Sequence, residues 1–211
     1  MSWTGAGRAD GMERYNRNLD RRAAGFTTVE IRFALALSGA VLCVAVPSTG
    51  DAVDGLRTAT AARYLAARLT EARIAAVNRS ACVGLRFEQD AADYRFTPHV
   101  DGNGNGIRTV DIALGIDRPI GATERLADKF PGVRTGLMNG YPDADHVAGT
   151  GADGVRLGSP RIATMSPDGT ATGGTVYLHG RRSQFAVRIL GTTGRVRVLE
   201  YMRAEDAWVM R

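Results

Sequence analysis

Hydrophobic and polar positions divide the chain into four stretches with different periods. Residues 1–24 are polar and charged, with no apolar run long enough to insert into anything. From Phe26 to Val46 the side chains are mostly apolar, broken by Glu30 and Arg32, and the run stops at Pro47. Between 51 and 78, Ala62, Leu65, Leu69, Ala72 and Ala76 recur at the three-and-four spacing of an amphipathic helix, so one face must pack on something. Arg57, Arg63, Arg68 and Arg73 fall largely off that stripe. Beyond 81 the period drops to two, in 83–87, 94–96, 176–178, 185–189 and 196–198, which predicts half-buried antiparallel strands. Gly and Pro clusters between them favour hairpins over βαβ crossovers.

The expected fold class is therefore α+β: a long N-terminal helix, half transmembrane and half amphipathic, packed on small antiparallel β-sheets. Four segments are expected: a leader at 1–25, a transmembrane helix at 26–46, its amphipathic continuation at 47–80, and a β-rich extracytoplasmic domain at 81–211. The apolar run, about 21 residues, matches the ~30 Å of hydrocarbon that a helix must cross. Pro47 removes a backbone donor and is expected to kink the helix. The middle, from about 111 to 160, reads as a variable loop region with short elements.

An ordinary secretory signal places its cleavage site after the apolar run, and Val44 to Ser48 make a poor one. Gly25-Phe26-Thr27-Thr28-Val29-Glu30 instead resembles the type IV prepilin signature. Glu30 falls at the fifth position after Gly25 and Pro47 at the twenty-second. The later Ser166-Pro167-Asp168-Gly169, Gly173-Gly174, Val176-Tyr177-Leu178 and Gly194-Arg195-Val196-Arg197 resemble the GspH/FimT family of pilin-like proteins. That resemblance implies cleavage between Gly25 and Phe26 by a prepilin peptidase, N-methylation of Phe26, and roles for Glu30 and Pro47 in filament assembly. It also implies that Glu30 pairs with the new amine of Phe26 on a neighbouring subunit. A carboxylate in an apolar span is costly unless it finds such a partner. Arg32 departs from the family pattern, which keeps its position apolar.

The net charge of +5 comes almost entirely from arginine, because Lys129 is the only lysine. A solvated basic face explains that balance before any motif is considered. Leader arginines Arg8, Arg14, Arg17, Arg21 and Arg22 favour a cytoplasmic N-terminus. Cys43 and Cys82 have no CxxC partner and read as small buried hydrophobes.

Two stretches carry candidate binding chemistry. Asp101, Asn103 and Asn105 alternate with glycine as calcium-loop ligands do, but the twelfth position, where a bidentate Glu belongs, is Ile112. A Gly/Asn turn between strands is the better reading. Arg195 and Arg197 flank Val196 on one strand and point to one face, where Arg181, Arg182 and Arg188 could join them in a patch suited to phosphates. The resemblance links such a Gly-Arg-x-Arg motif to DNA capture in some minor pilins; the alternative is an ordinary solvated edge strand. His99, His146, His179 and Ser166 form no catalytic pattern, and no cofactor is implied.

The expected function is a minor pseudopilin, a non-enzymatic subunit that helps initiate a type II secretion pseudopilus at its tip. The alternative is a DNA-binding minor pilin of a type IV pilus. Expected partners are other pseudopilins or pilins, the prepilin peptidase, the inner-membrane assembly platform, the inner membrane and, in the alternative, DNA. The expected location is a single pass through the bacterial inner membrane, N-terminus cytoplasmic and C-terminal domain periplasmic.

Overall fold

A computed structural model describes residues 26–91, 93–144 and 153–211, with the side chains of 42–49 outside that description. The leader, Gly25, His146 and the side chains of Cys43 and Pro47 therefore lie outside that description. The chain divides into two units between Ser48 and Thr49, and each is taken by itself.

The first unit carries the start of helix α1 (Thr28–Arg79, 52 residues). Thr27 and Glu30 open it with a reciprocal cap. The Glu30 Oε2 accepts the Thr27 backbone N–H at 3.0 Å, and the Thr27 Oγ1 accepts the Glu30 N–H at 3.2 Å. The expected transmembrane half, and with it the single-pass inner-membrane location, is corrected here. Among the described residues no helix is long and apolar enough to cross a membrane. Length is not what fails. Glu30 and Arg32 break the apolar run within its first seven residues. A spanning helix needs about 20 predominantly apolar residues.

In the second unit the remainder of α1 buries Ala61, Ala62, Leu65, Leu69, Ala72 and Ala76 in one hydrophobic core. The alternating residues of two sheets complete that core. The first sheet contains β1 (Val83–Asp90), β2 (Asp93–Val100), β3 (Arg118–Pro119), β4 (Glu124–Arg125) and β7 (Ile162–Met165). Its order is β3-β2-β1-β7, with β4 also on β2. The second contains β5 (Arg134–Thr135), β6 (Val155–Arg156), β8 (Gly174–His179), β9 (Gln184–Leu190), β10 (Arg195–Met202) and β11 (Ala207–Met210). Its order is β11-β10-β9-β8-β5, with β6 also on β8. Two short helices, α2 (Thr109–Ala113) and α3 (Leu126–Lys129), punctuate the middle of the chain.

The expected small sheets are thus corrected to antiparallel sheets of five and six strands. The physical reason is the middle of the chain. Its two-residue strands β3, β4, β5 and β6 are too short for any periodicity, yet each pairs with a long strand and widens a sheet. The second unit is thus two antiparallel sheets and the later part of α1 around one core.

Where the helix meets the second sheet, Asp54 closes over the β8–β9 turn. Its carboxylate accepts the backbone N–H groups of Arg181 at 2.8 Å and Arg182 at 3.1 Å and the Ser183 hydroxyl at 3.0 Å. Thr58 is fully buried beside it and bonds to Ser183 at 2.7 Å. Gly180 leaves room for this contact, since a Cβ there would stand 2.4 Å from Asp54 Oδ1 and 2.5 Å from Thr58 Oγ1. Asp51 adds an ion pair to Arg182 at 2.6 Å.

Candidate functional site

Three places hold the residues singled out by sequence. At the N-terminal end of α1, Phe26 is 83% exposed, and Val29, Ile31, Phe33, Leu35, Leu37 and Val41 are exposed with it. Glu30 is not stranded in this apolar surface, because the cap on Thr27 occupies its carboxylate. The Thr-x-x-Glu spacing was there to be read as a helix start, and the prepilin-like motif that overlaps it hid that simpler role. Gly25 and the side chain of Pro47 lie outside the described residues.

The outer face of the second sheet gathers the arginines. Directly paired residues of antiparallel strands point to the same side. Arg156 on β6 pairs with Thr175 on β8, Thr175 with Arg188 on β9, and Arg188 with Arg197 on β10. Arg195 stands two residues from Arg197 and pairs with Leu190. The opposite face of these strands supplies Val176, Val187, Ile189 and Val196 to the core or its margin. Arg195 and Arg197 are both exposed. Arg181 and Arg182 do not join them, because they sit in the β8–β9 turn at the far end of β9, beside Asp54. Burial pushes the Asp54 carboxyl up, but the N–H groups of Arg181 and Arg182 and the Ser183 hydroxyl outweigh it and hold the group below its ordinary value.

At the Arg156 end of the row a buried polar cluster closes the face. The Asp143 carboxylate pairs with Arg156 and accepts the Tyr177 hydroxyl. The Arg156 guanidinium also lies 5.2 Å from the Tyr177 ring centre. Trp208 packs on Tyr177 and donates its indole N–H to the Pro142 carbonyl at 3.1 Å, which ties β11 to the same segment. Sequence inspection missed this cluster, because its members are distant along the chain and no motif joins them.

Asp101 organises the Gly/Asn stretch as a turn. One carboxylate oxygen accepts the N–H groups of Asn103 and Gly104, and the other accepts that of Gly106 at 2.7 Å. The Asn103 and Asn105 amides donate to Asp111, so the groups that would ligate calcium are turned inward on one another. Asp117, 1% exposed, accepts the N–H groups of Gly102 and Arg108. Burial pushes the Asp101 carboxyl up, and the N–H groups of Asn103, Gly106 and Gly104 bring it below its ordinary value. Among the described residues no group of three or more His, Cys, Asp or Glu could hold a metal ion.

The remaining candidates are dispersed. His99 is buried with Nδ1 against the Thr97 carbonyl at 3.1 Å, and His179 Nδ1 lies 2.8 Å from the Gly180 carbonyl. Cys82 lies 3.9 Å from the Ser166 hydroxyl. No acid, base and nucleophile converge among these. No family model, curated protein or solved structure matches this chain.

Proposed function

We propose that the chain is a structural, non-enzymatic subunit of the minor pseudopilin type, cut between Gly25 and Phe26 and assembled through α1 into a type II secretion pseudopilus. The observation that carries this reading is the exposed apolar surface from Phe26 to Val41, on a helix whose first turn bears the prepilin-like residues. Exposed apolar patches of this kind mark interaction surfaces. The equivalent helices of neighbouring subunits are its occupants in a filament. Partners in this reading are other pseudopilins, the prepilin peptidase and the assembly platform. Cleavage would also free an amine next to Glu30, offering its carboxylate a charged alternative to the Thr27 cap.

The test is the mass of the protein after co-expression with a prepilin peptidase. A mature chain beginning at methylated Phe26 is expected. A chain that stays uncut beside a control prepilin processed in the same cells would refute the reading.

One observation favours a second reading, a DNA-binding minor pilin of a type IV pilus: Arg188 and Arg197 are placed directly opposite each other, with Arg195 adjacent. Replacing Arg195 and Arg197 together by glutamine is expected to lower the slope of log K against log salt for duplex DNA by about 2, since each lost phosphate contact removes ~0.9. An unchanged slope would rule these two residues out as phosphate contacts.

A further inference from the structure

Asn103, Asn105 and Asn139 are each followed by glycine. An Asn-Gly pair is prone to modify itself, because glycine, with no side chain, lets its own backbone nitrogen reach the asparagine Cγ. All of these asparagines are exposed, yet the fold holds the first two differently from the last. The Gly104 N–H donates to Asp101 Oδ1 at 2.8 Å and the Gly106 N–H to Asp101 Oδ2 at 2.7 Å. The Asn103 and Asn105 amides donate to Asp111 at 3.4 and 3.0 Å. Both attacking nitrogens and both target amides are thus engaged. Asn139 and Gly140 lie between β5 and β6, in a turn that the Tyr141 N–H closes on the Met138 carbonyl at 3.2 Å. Among the described residues neither the Asn139 amide nor the Gly140 N–H has a hydrogen-bond partner. Gly140 is exposed at φ +81°, and apart from its chain neighbours nothing lies within 4 Å of where a Cβ would stand.

We propose that Asn139 is a site of spontaneous deamidation, the Asn-Gly pair that the fold leaves free to react. The step needs only hydroxide and water. The Gly140 nitrogen gives its proton to hydroxide and attacks the Asn139 Cγ. The new C–N bond closes a five-membered succinimide, the bond from Cγ to the side-chain nitrogen breaks, and ammonia departs with a proton taken from water. Water then opens the ring. Opening at Cγ leaves aspartate in an ordinary chain, whereas opening at the backbone carbonyl leaves isoaspartate, whose chain runs on through Cβ. Either product adds a negative charge, and isoaspartate also lengthens the backbone between Met138 and Tyr141. Those two residues are anchored, the Met138 N–H to Gln184 Oε1 at 2.9 Å and the Tyr141 hydroxyl to the Arg182 carbonyl at 3.2 Å, so the longer turn must strain one of these bonds. At Asn103 and Asn105 the glycine nitrogen must first leave a carboxylate acceptor, which slows its attack about tenfold or more. The proposal depends on neither reading of function above.

The experiment incubates the full chain at mildly alkaline pH and follows its peptides by mass spectrometry, with isoaspartate counted separately by enzymatic methylation with an isoaspartyl methyltransferase. A parallel incubation in denaturant removes the protection of the fold. In the folded protein Asn139 should convert about tenfold faster than Asn103 or Asn105. In denaturant the rates at these sites should converge. Asn139→Gln should remove the fast phase and its methylation signal. Asp101→Ala frees the Gly104 and Gly106 N–H groups and should raise conversion at Asn103 and Asn105 toward the Asn139 rate.

Equal rates at the Asn-Gly pairs of the folded protein overturn the proposal. So does a rate at Asn139 no higher than at Asn78, which precedes Arg79 rather than a glycine. A preference for Asn139 that persists in denaturant would come from its sequence neighbours and not from the fold, and overturns it as well. Unchanged rates at Asn103 and Asn105 in a folded Asp101→Ala variant would do the same; should that variant fail to fold, the comparison of folded and denatured parent decides.

Discussion

Asp143→Ala is expected to lower the stability of the β-domain by about 3–5 kcal/mol, the range for a buried ion pair that loses one partner. The side chains of Asp143 and Arg156 are 4% and 18% exposed, so little water is at hand to replace the carboxylate. The Tyr177 hydroxyl loses its acceptor at the same time. Burial raises the Tyr177 phenol above its ordinary pKa, so this side chain remains a neutral donor and cannot supply the missing negative charge. With ~2–4 °C per kcal/mol for a chain of this size, Tm should fall on the order of 10 °C. Adding Arg156→Met removes the other charge of the pair and should restore part of the loss, because an apolar replacement of a buried pair is often neutral. Denaturant melts of the single and double variants decide the matter. A loss below about 1 kcal/mol in the single variant would show that the pair is effectively solvated.

Gly180→Ala should be nearly as damaging, at about 2–3 kcal/mol, although it adds only one methyl group. The new carbon would meet the Asp54 carboxylate and the Thr58 hydroxyl at about 2.5 Å, so Asp54 must withdraw from the β8–β9 turn. The N–H groups of Arg181 and Arg182 and the Ser183 hydroxyl then lose their shared acceptor. If the mechanism is loss of this one carboxylate, Gly180→Ala and Asp54→Ala are not additive, and the double variant costs little more than either alone. Full additivity in thermal melts would place the damage elsewhere. Acid provides a second reading of the same contact. The folded-state pKa of Asp54 is depressed, so its contribution is complete at neutral pH, above the unfolded value of about 4. It is lost as pH falls through the lower folded value. Both variants should therefore show a shallower decline of stability in acid than the parent.

The parts of the molecule legible in the sequence are those that repeat. The stripe of Ala62, Leu65, Leu69, Ala72 and Ala76 lies in the core, and the alternating stretches at 83–87, 94–96, 176–178, 185–189 and 196–198 lie within β1, β2, β8, β9 and β10. Each of these elements spans enough residues for its period to show. Strands β3 to β6 carry two residues each, which holds no period, so the width of both sheets could not be read. The apolar run after Phe26 was read as a membrane span because its composition outweighed Glu30 and Arg32, the two charges that break it. The arginines followed a similar rule. Pairing brings Arg195, Arg197 and Arg188 together, whereas Arg181 and Arg182 belong to the opposite end of their hairpin. Only strand register separates those cases, and register is a property of pairing, not of spacing.

The clasp between α1 and the β8–β9 turn also has a mechanical meaning. Tension applied to the chain before Thr49 enters the second unit through the first turns of its helical segment. Among the described side chains, the first along that path that bond to another element are Asp51 and Asp54. The apolar stripe from Ala61 onward is loaded only after them. Hydrogen bonds give way over short extensions, while a buried stripe must be peeled across several turns. A modest pull should thus open the 180–183 turn as a reversible first yield, leaving the core as the reserve against rupture.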